Sequence, residues 1–340
     1  MNKLKFLIIF VFGILIFNTV AVIGVNYKIS NADIITFEEE SSSDFYFVQL
    51  TDTHVKYKLF DRCEASEKRL TTVLETILSF ETKPAFIVIT GDLCEWGNNP
   101  LGVLNSITFA NCFYKKDDQL YADANFSIPV YTTPGNHDYC LTRNLRNYHK
   151  YIDKNHIQEE DRYIINYGNV SLFFMDSGPN YYSNLSILFE WHGQGLYDND
   201  IEWLEEGLSK SQSKHKIVLM HHPAVGQKED VFILNRDAFV ELCKTYDVEL
   251  VLAGHTHRAR VFDSDLNNYD EFLLNCSLYP TFYVQSDDCR EGIHYRNASI
   301  RGDDVWLESS EELKAGIDSL EHFEIKFMWI YSNLFNKRYI

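Results

Sequence analysis

Five short apolar runs in this chain each stop abruptly at a polar cluster rich in Asp, Asn or His. Residues 45–50 lead into Thr51-Asp52-Thr53-His54, and residues 86–89 lead into Thr90-Gly91-Asp92. Residues 130–132 precede Pro134-Gly135-Asn136-His137-Asp138. Residues 217–220 run into His221-His222-Pro223, and residues 248–252 into Gly254-His255-Thr256-His257. Short apolar runs without helical periodicity read as strands buried on both faces of an α/β sheet. Ligands of open α/β sheets bind at the carboxyl ends of the strands. One polar strand end is an ordinary turn. Five of them, each straight after a buried strand, converge on one edge of the core, where rigid strands place the groups that do chemistry.

Between these strands the spacing changes to that of helices. Leu70, Val73, Leu74, Ile77 and Leu78 share one helical face, with Asp61 as the expected cap, Glu64 as its box partner and Pro84 as the stop. Ile201, Trp203, Leu204 and Leu208 form a second apolar face that Asp200 is expected to cap. Residues 163–166 and 170–175 alternate around Gly168-Asn169, a hairpin signal, and residues 272–307 read as strands. The chain has 340 residues, 45% of them hydrophobic and 24% charged, enough for a large core and incompatible with disorder. Its formal charge of −18 argues against a nucleic-acid partner. A phosphate substrate stays compatible with that charge, because bound cations reverse the local field.

The residue types at the strand ends suit two divalent cations of the Mn, Zn, Fe or Co kind, held by carboxylate, amide oxygen and imidazole. No C-x-x-C pair offers thiolates. Asp52 and His54 lie on one side of an extended chain, as do His255 and His257. Asp92 is a lone carboxylate suited to bridging two ions. Asn136 offers an amide oxygen, and His221 an imidazole at a strand end. His222, one residue on, points away from that ligand and reads as a structural or substrate-edge residue.

The ordered set Asp52-x-His54, Gly91-Asp92, Gly135-Asn136-His137-Asp138, Val218-x-x-His221 and Gly254-His255-x-His257 resembles the motifs of the calcineurin-like metallophosphoesterases. The resemblance covers residues 52–257. It implies an α/β fold, a four-layer αββα sandwich of two mixed β-sheets with a dinuclear metal site at the sheet edge. By that resemblance Asp52, His54 and His257 hold one metal, Asn136, His221 and His255 hold the other, and Asp92 bridges them. His137 would act on the substrate phosphoryl or the leaving oxygen, and Asp138 would orient His137. The implied activity is hydrolysis of a small phosphoester by a metal-bridging hydroxide, with a phosphodiesterase as the first expectation. A phosphomonoesterase of the acid or protein phosphatase type is the alternative, followed by a non-catalytic, membrane-anchored binding protein. Purple acid phosphatases carry a tyrosine three residues after the bridging aspartate; Glu95 stands there instead. The D-x-H opening is shared with cyclic-nucleotide and glycerophosphodiester phosphodiesterases and with acid sphingomyelinase-like enzymes.

Lys3 and Lys5 precede an apolar run over residues 6–17 and small residues near Ala21 and Gly24, the pattern of a secretory signal peptide over residues 1–24. An uncleaved anchor is the rival, and only that would bring membrane contact. The expected location is secreted or lumenal. The expected catalytic domain spans residues 44–308, and residues 309–340 form an extension packing on the core. In an oxidising compartment some of the seven cysteines are expected to pair, with Cys243 as the buried free thiol. Sequons at Asn125, Asn169, Asn184, Asn275 and Asn297 would make a eukaryotic product a glycoprotein. Residues 178–199, rich in aromatics and glycine, read equally as a lid or as surface packing.

Overall fold

A computed structural model describes residues 34–37, 44–59, 61, 65–100, 102–113, 128–140, 142–152, 162–180, 193–228, 230–269, 273–290 and 292–313. The segment 1–24, Cys63, the aromatic stretch 181–192 and residues 314–340 lie outside the described residues, as do the sequons at Asn125 and Asn184. The strands, in chain order, are β1 (Ile34–Phe37), β2 (Phe45–Leu50), β3 (Ile87–Thr90), β4 (Val130–Thr133), β5 (Tyr163–Tyr167), β6 (Val170–Phe174) and β7 (His215–Leu219). They continue with β8 (Leu250–Ala253), β9 (Arg260–Phe262), β10 (Leu273–Asn275), β11 (Phe282–Gln285), β12 (His294–Arg301), β13 (Asp304–Glu308) and β14 (Glu311–Glu312). The helices are α1 (Ser66–Ser79), α2 (Gly102–Asn111), the single turn α3 (Asn136–Tyr139), α4 (Asp198–Lys210) and α5 (Arg236–Thr245).

Two mixed sheets form, ordered β1-β5-β6-β7-β8-β11-β9 and β10-β13-β12-β2-β3-β4, with β14 pairing off β12. Side-chain alternation along each strand explains why the strands are apolar throughout. Phe47 and Val88 of one sheet, with Phe86 just before β3, meet Leu172, Phe174, Ile217, Leu219, Leu250 and Leu252 of the other in the central core. The intervening residues face outward. Val48, Leu50, Ile87 and Ile89 pack against Leu70, Val73, Leu74 and Ile77 of α1 and Phe109 of α2. Phe173, Val218 and Val251 pack against Trp203, Leu204 and Leu208 of α4 and Phe239 and Cys243 of α5. The result is the αββα sandwich, two outer helical layers over two inner sheets.

Local details depart from the sequence expectations. Helix α1 begins at Ser66 after Ala65 in the left-handed region, and Asp61 accepts from the Ser66 amide and hydroxyl across a loop instead of standing at the cap. Asp200 is the third residue of α4 and accepts from the Tyr197 amide, which is the reach-back half of a capping box. The expected disulfides are corrected: Cys94, Cys112, Cys140, Cys243, Cys276 and Cys289 are all free, five of them buried. The five buried ones serve as small apolar core residues, and burial pushes the Cys112 and Cys289 thiols up to about 12. No helix among the described residues is long and apolar enough to cross a membrane.

Candidate metal centre

Parallel pairing sets β2, β3 and β4 side by side, and β6, β7 and β8 likewise, so their carboxyl ends open on one edge. The five polar clusters meet there. Asp52, His54, Asp92, His255 and His257 all hold positive φ, between 43° and 69°. Each left-handed non-glycine residue costs about 1 kcal/mol or more, and such strain gathers at functional sites. It is concentrated here on candidate ligands.

The ligand atoms fall into two groups. Asp52 Oδ1 lies 3.3 Å from His257 Nε2 and 3.7 Å from His54 Nε2. Asn136 Oδ1 lies 3.0 Å from His221 Nε2 and 3.1 Å from His255 Nδ1. Asp92 Oδ2 belongs to both, 3.6 Å from His54 Nε2 and 3.3 Å from His221 Nε2. Ions bound at about 2.0–2.2 Å would space their ligands about 2.9–3.6 Å apart, as the edges of an octahedron or tetrahedron.

Hydrogen-bond logic also calls for cations. His221 Nδ1 donates to the Thr90 carbonyl at 2.9 Å, so in the neutral ring Nε2 is a lone pair facing the Asn136 oxygen. His257 Nδ1 faces Asp288 Oδ2 at 2.6 Å, which leaves Nε2 turned to the Asp52 carboxylate. Acceptors thus confront acceptors, and a metal between them removes the conflict. Asp52 Oδ1 and His54 Nε2 are buried without a hydrogen-bond partner, a costly state for polar atoms that coordination satisfies. Otherwise a proton takes the cation's place. Burial opposes charge on His257, yet its bonds to Asp288 and Asp52 lift it to about 11. Burial likewise opposes charge on His54, and Asp52 with Glu95 lifts it to about 9.

An outer layer aims these ligands. Asp52 Oδ2 accepts from Thr51 Oγ1 at 2.7 Å and from the His255 amide at 2.9 Å, turning Oδ1 inward. Asp92 Oδ1 accepts from the His137 amide at 2.8 Å, which frees Oδ2. Glu95 Oε2 sits 3.0 Å from His54 Nδ1. Such partners fix ring orientation and ligand basicity. Glycine is required where the layers touch. A Cβ on Gly91 would lie 2.4 Å from His221 Nδ1, at φ +85°, and a Cβ on Gly254 would lie 1.9 Å from Thr51 Oγ1.

The expected role of Asp138 is corrected. Its carboxylate accepts from the amides of Gly135, Leu93 and Cys94 at 2.9, 3.1 and 3.1 Å. It ties the turn bearing Asn136 to the loop that follows Asp92. Burial, and then the Asp92 charge, push it up to about 7 against those three amides. His137 is held instead by the Glu95 carbonyl, which accepts from Nδ1 at 2.9 Å, with Glu95 Oε1 3.9 Å away. The carboxylate cannot reach the ring because the first turn of α3 points residues 137 and 138 in different directions. His137 is a third exposed, and its ring meets that of His54 edge-on at 4.5 Å.

His222 has both ring nitrogens engaged, by Ser177 Oγ at 2.8 Å and Asn180 Oδ1 at 3.0 Å, so it offers no lone pair to a metal. Two strand ends went unread in the sequence. β6 runs into Met175-Asp176-Ser177, where Asp176 accepts from the Tyr139 hydroxyl, and β11 runs into Ser286-Asp287-Asp288. The rule that exposed the other five strand ends applies to both.

A family model of the calcineurin-like phosphoesterases matches residues 45–259, and the chain belongs to that family. It is a metal-dependent hydrolase of phosphoric esters, of a family that uses a dinuclear metal centre. The chain is 28% identical over 222 residues to a "Probable glycerophosphodiester phosphodiesterase GpdQ" of Arcobacter nitrofigilis, covering 62% of this chain and 71% of that one. It is 24% identical over 216 residues to a "Probable cyclic nucleotide phosphodiesterase" of Coxiella burnetii, covering 62% and 74%. In structure it resembles a purple acid phosphatase from yellow lupin seeds, with a TM-score of 0.50 and 14% identity over 79% of this chain and 52% of that one. The Plasmodium anchor of the inner membrane complex gives a TM-score of 0.50 and 13% identity over 83% and 94%. These two likenesses concern the fold alone.

Proposed function

We propose that the chain is a phosphodiesterase whose two divalent cations are held by Asp52, His54 and His257 on one side and Asn136, His221 and His255 on the other, with Asp92 shared. The observation that carries this reading is Asp92 Oδ2, within 3.6 Å of a ligand nitrogen in each group. When bound, the cations would neutralise phosphoryl oxygens and acidify water. The protein's own residues do the rest. The Glu95 carbonyl holds His137 Nδ1–H, leaving Nε2 as the nitrogen available to substrate. Protonated, that nitrogen donates to a phosphoryl oxygen or to the departing alkoxide. Glu95 in place of a tyrosine removes the phenolate ligand of the purple acid phosphatases and supports a diesterase over that monoesterase type.

The named relatives support diester over monoester substrates. The basic and apolar pattern of residues 1–24 supports a secretory route, with residues 44–308 as the catalytic domain and the rest of 309–340 as an extension. N-terminal sequencing of the mature protein tests that route, and an intact Met1 would overturn it. The activity is tested by stripping metal and assaying a panel of phosphodiesters and phosphomonoesters with Mn²⁺, Zn²⁺, Fe²⁺ and Co²⁺. Diester turnover restored by metal is expected. Full turnover in a protein shown by elemental analysis to be metal-free would refute the reading.

A further inference from the structure

Behind the Asn136–His221–His255 group, the buried His222 ring binds a partner whose own donors meet no acceptor among the described residues. Ser177 Oγ accepts the His222 backbone amide at 3.0 Å, so its hydroxyl proton goes to Nδ1, 2.8 Å away. The ring proton then resides on Nε2 and is donated to Asn180 Oδ1 at 3.0 Å. With its carbonyl taken, the Asn180 amide is fixed in orientation. The residue is partly exposed, and its NH₂ group has no partner among the described residues. A nitrogen of His222 lies within 4.8 Å of ligand nitrogens on His221 and His255, so this amide stands one hydrogen bond beyond the second metal group. The ring is itself wedged in place. A Cβ on Gly193 would lie 2.3 Å from its Cγ. The backbone on either side is laced together by Gln194 N to Pro179 O at 2.7 Å and Gly195 N to Ser177 O at 2.9 Å.

We propose that Asn180 is a substrate-contacting donor, its amide N–H directed to a phosphoryl oxygen, and that His222 is the positioning residue that aims it. The inference rests on the phosphodiesterase reading above. A neutral donor there suits a diester, whose single charge is already met by cations and His137. One neutral hydrogen bond is worth roughly three- to tenfold in binding.

The test uses the metal-loaded full chain, with kcat and KM for bis(p-nitrophenyl) phosphate and the Kd for inorganic phosphate. Asn180→Ala is expected to lower kcat/KM and weaken phosphate binding by about three- to tenfold, with metal content unchanged. Asn180→Asp keeps the acceptor for His222 but presents an anion to the phosphoryl group, and is expected to cost more than Asn180→Ala. His222→Phe keeps the ring against Gly193 and is expected to cost as much as Asn180→Ala. The double variant should lose nothing further, which a merely structural role for His222 would not produce. Asn180→Ala within about twofold of the parent on both readouts overturns the proposal, as do Asn180 and His222 losses that multiply. A parent that binds phosphate but turns over no ester overturns the phosphodiesterase reading alone, and the phosphate arm still decides this one. A metal-loaded parent that binds no phosphate overturns both.

Discussion

Replacing Asp138 with Asn separates two roles for this carboxylate. As the buried tie between the Asn136 turn and the loop after Asp92, it accepts three backbone amides. In Asp138→Asn one oxygen remains, and it can serve the Gly135 and Leu93 amides that now share Oδ2. The new NH₂ then faces the Cys94 N–H, donor against donor. A hydrogen bond to a charged acceptor contributes about 1.5–3 kcal/mol, and an amide left buried and unpaired costs about 1–3 kcal/mol. Removing a buried charge that Asp92 repels offsets part of this. The net loss should be about 2 kcal/mol of stability. Gly135 and Leu93 flank Asn136 and Asp92, so metal affinity should fall about tenfold or more, as for other outer-layer partners. Guanidinium unfolding of the apo protein reads the first quantity, and metal titration of the folded protein reads the second. An unchanged midpoint and metal affinity, with kcat reduced, would refute the reasoning and restore Asp138 as a partner of His137.

Asp92→Asn should lose both metals together and nearly all turnover, whereas Asp52→Asn should lose one metal preferentially; elemental analysis after dialysis distinguishes them. His137→Ala should keep both metals and lose about 10²–10⁴ in kcat, more on an alkyl diester than on a p-nitrophenyl ester, because an alkoxide needs a proton to depart. Equal losses on the two substrates would point to electrostatic stabilisation instead. Gly254→Ala should displace Thr51 from Asp52 and Thr90, costing about 1–3 kcal/mol by overpacking and weakening metal at the Asp52 side, read by unfolding and metal titration.

Much of the site could be read from residue order, because buried strands announce themselves as apolar runs and the chemistry lies immediately after them. Asp52, His54, Asp92, Asn136, His221, His255 and His257 are each within four residues of a strand end, and parallel strand pairing carries those ends to the same edge. Strand pairing could not be read in this way. β11 sits in one sheet while β10, β12 and β13, its neighbours in sequence, sit in the other. The pairing of β11 with β8 is what delivers Asp288 to His257, thirty-one residues upstream. Direction of side chains was equally hidden. Asp138 adjoins His137 in sequence but turns into the backbone of another loop, and Glu95, forty-two residues away, takes hold of the ring. Sequence patterning thus determined the strands, the helices and the residue types at the strand ends, since these follow from local periodicity and burial, while the layer order was implied only by the family resemblance. Tertiary structure decided which groups orient those residues, since a hydrogen bond depends on distances across elements that periodicity does not encode.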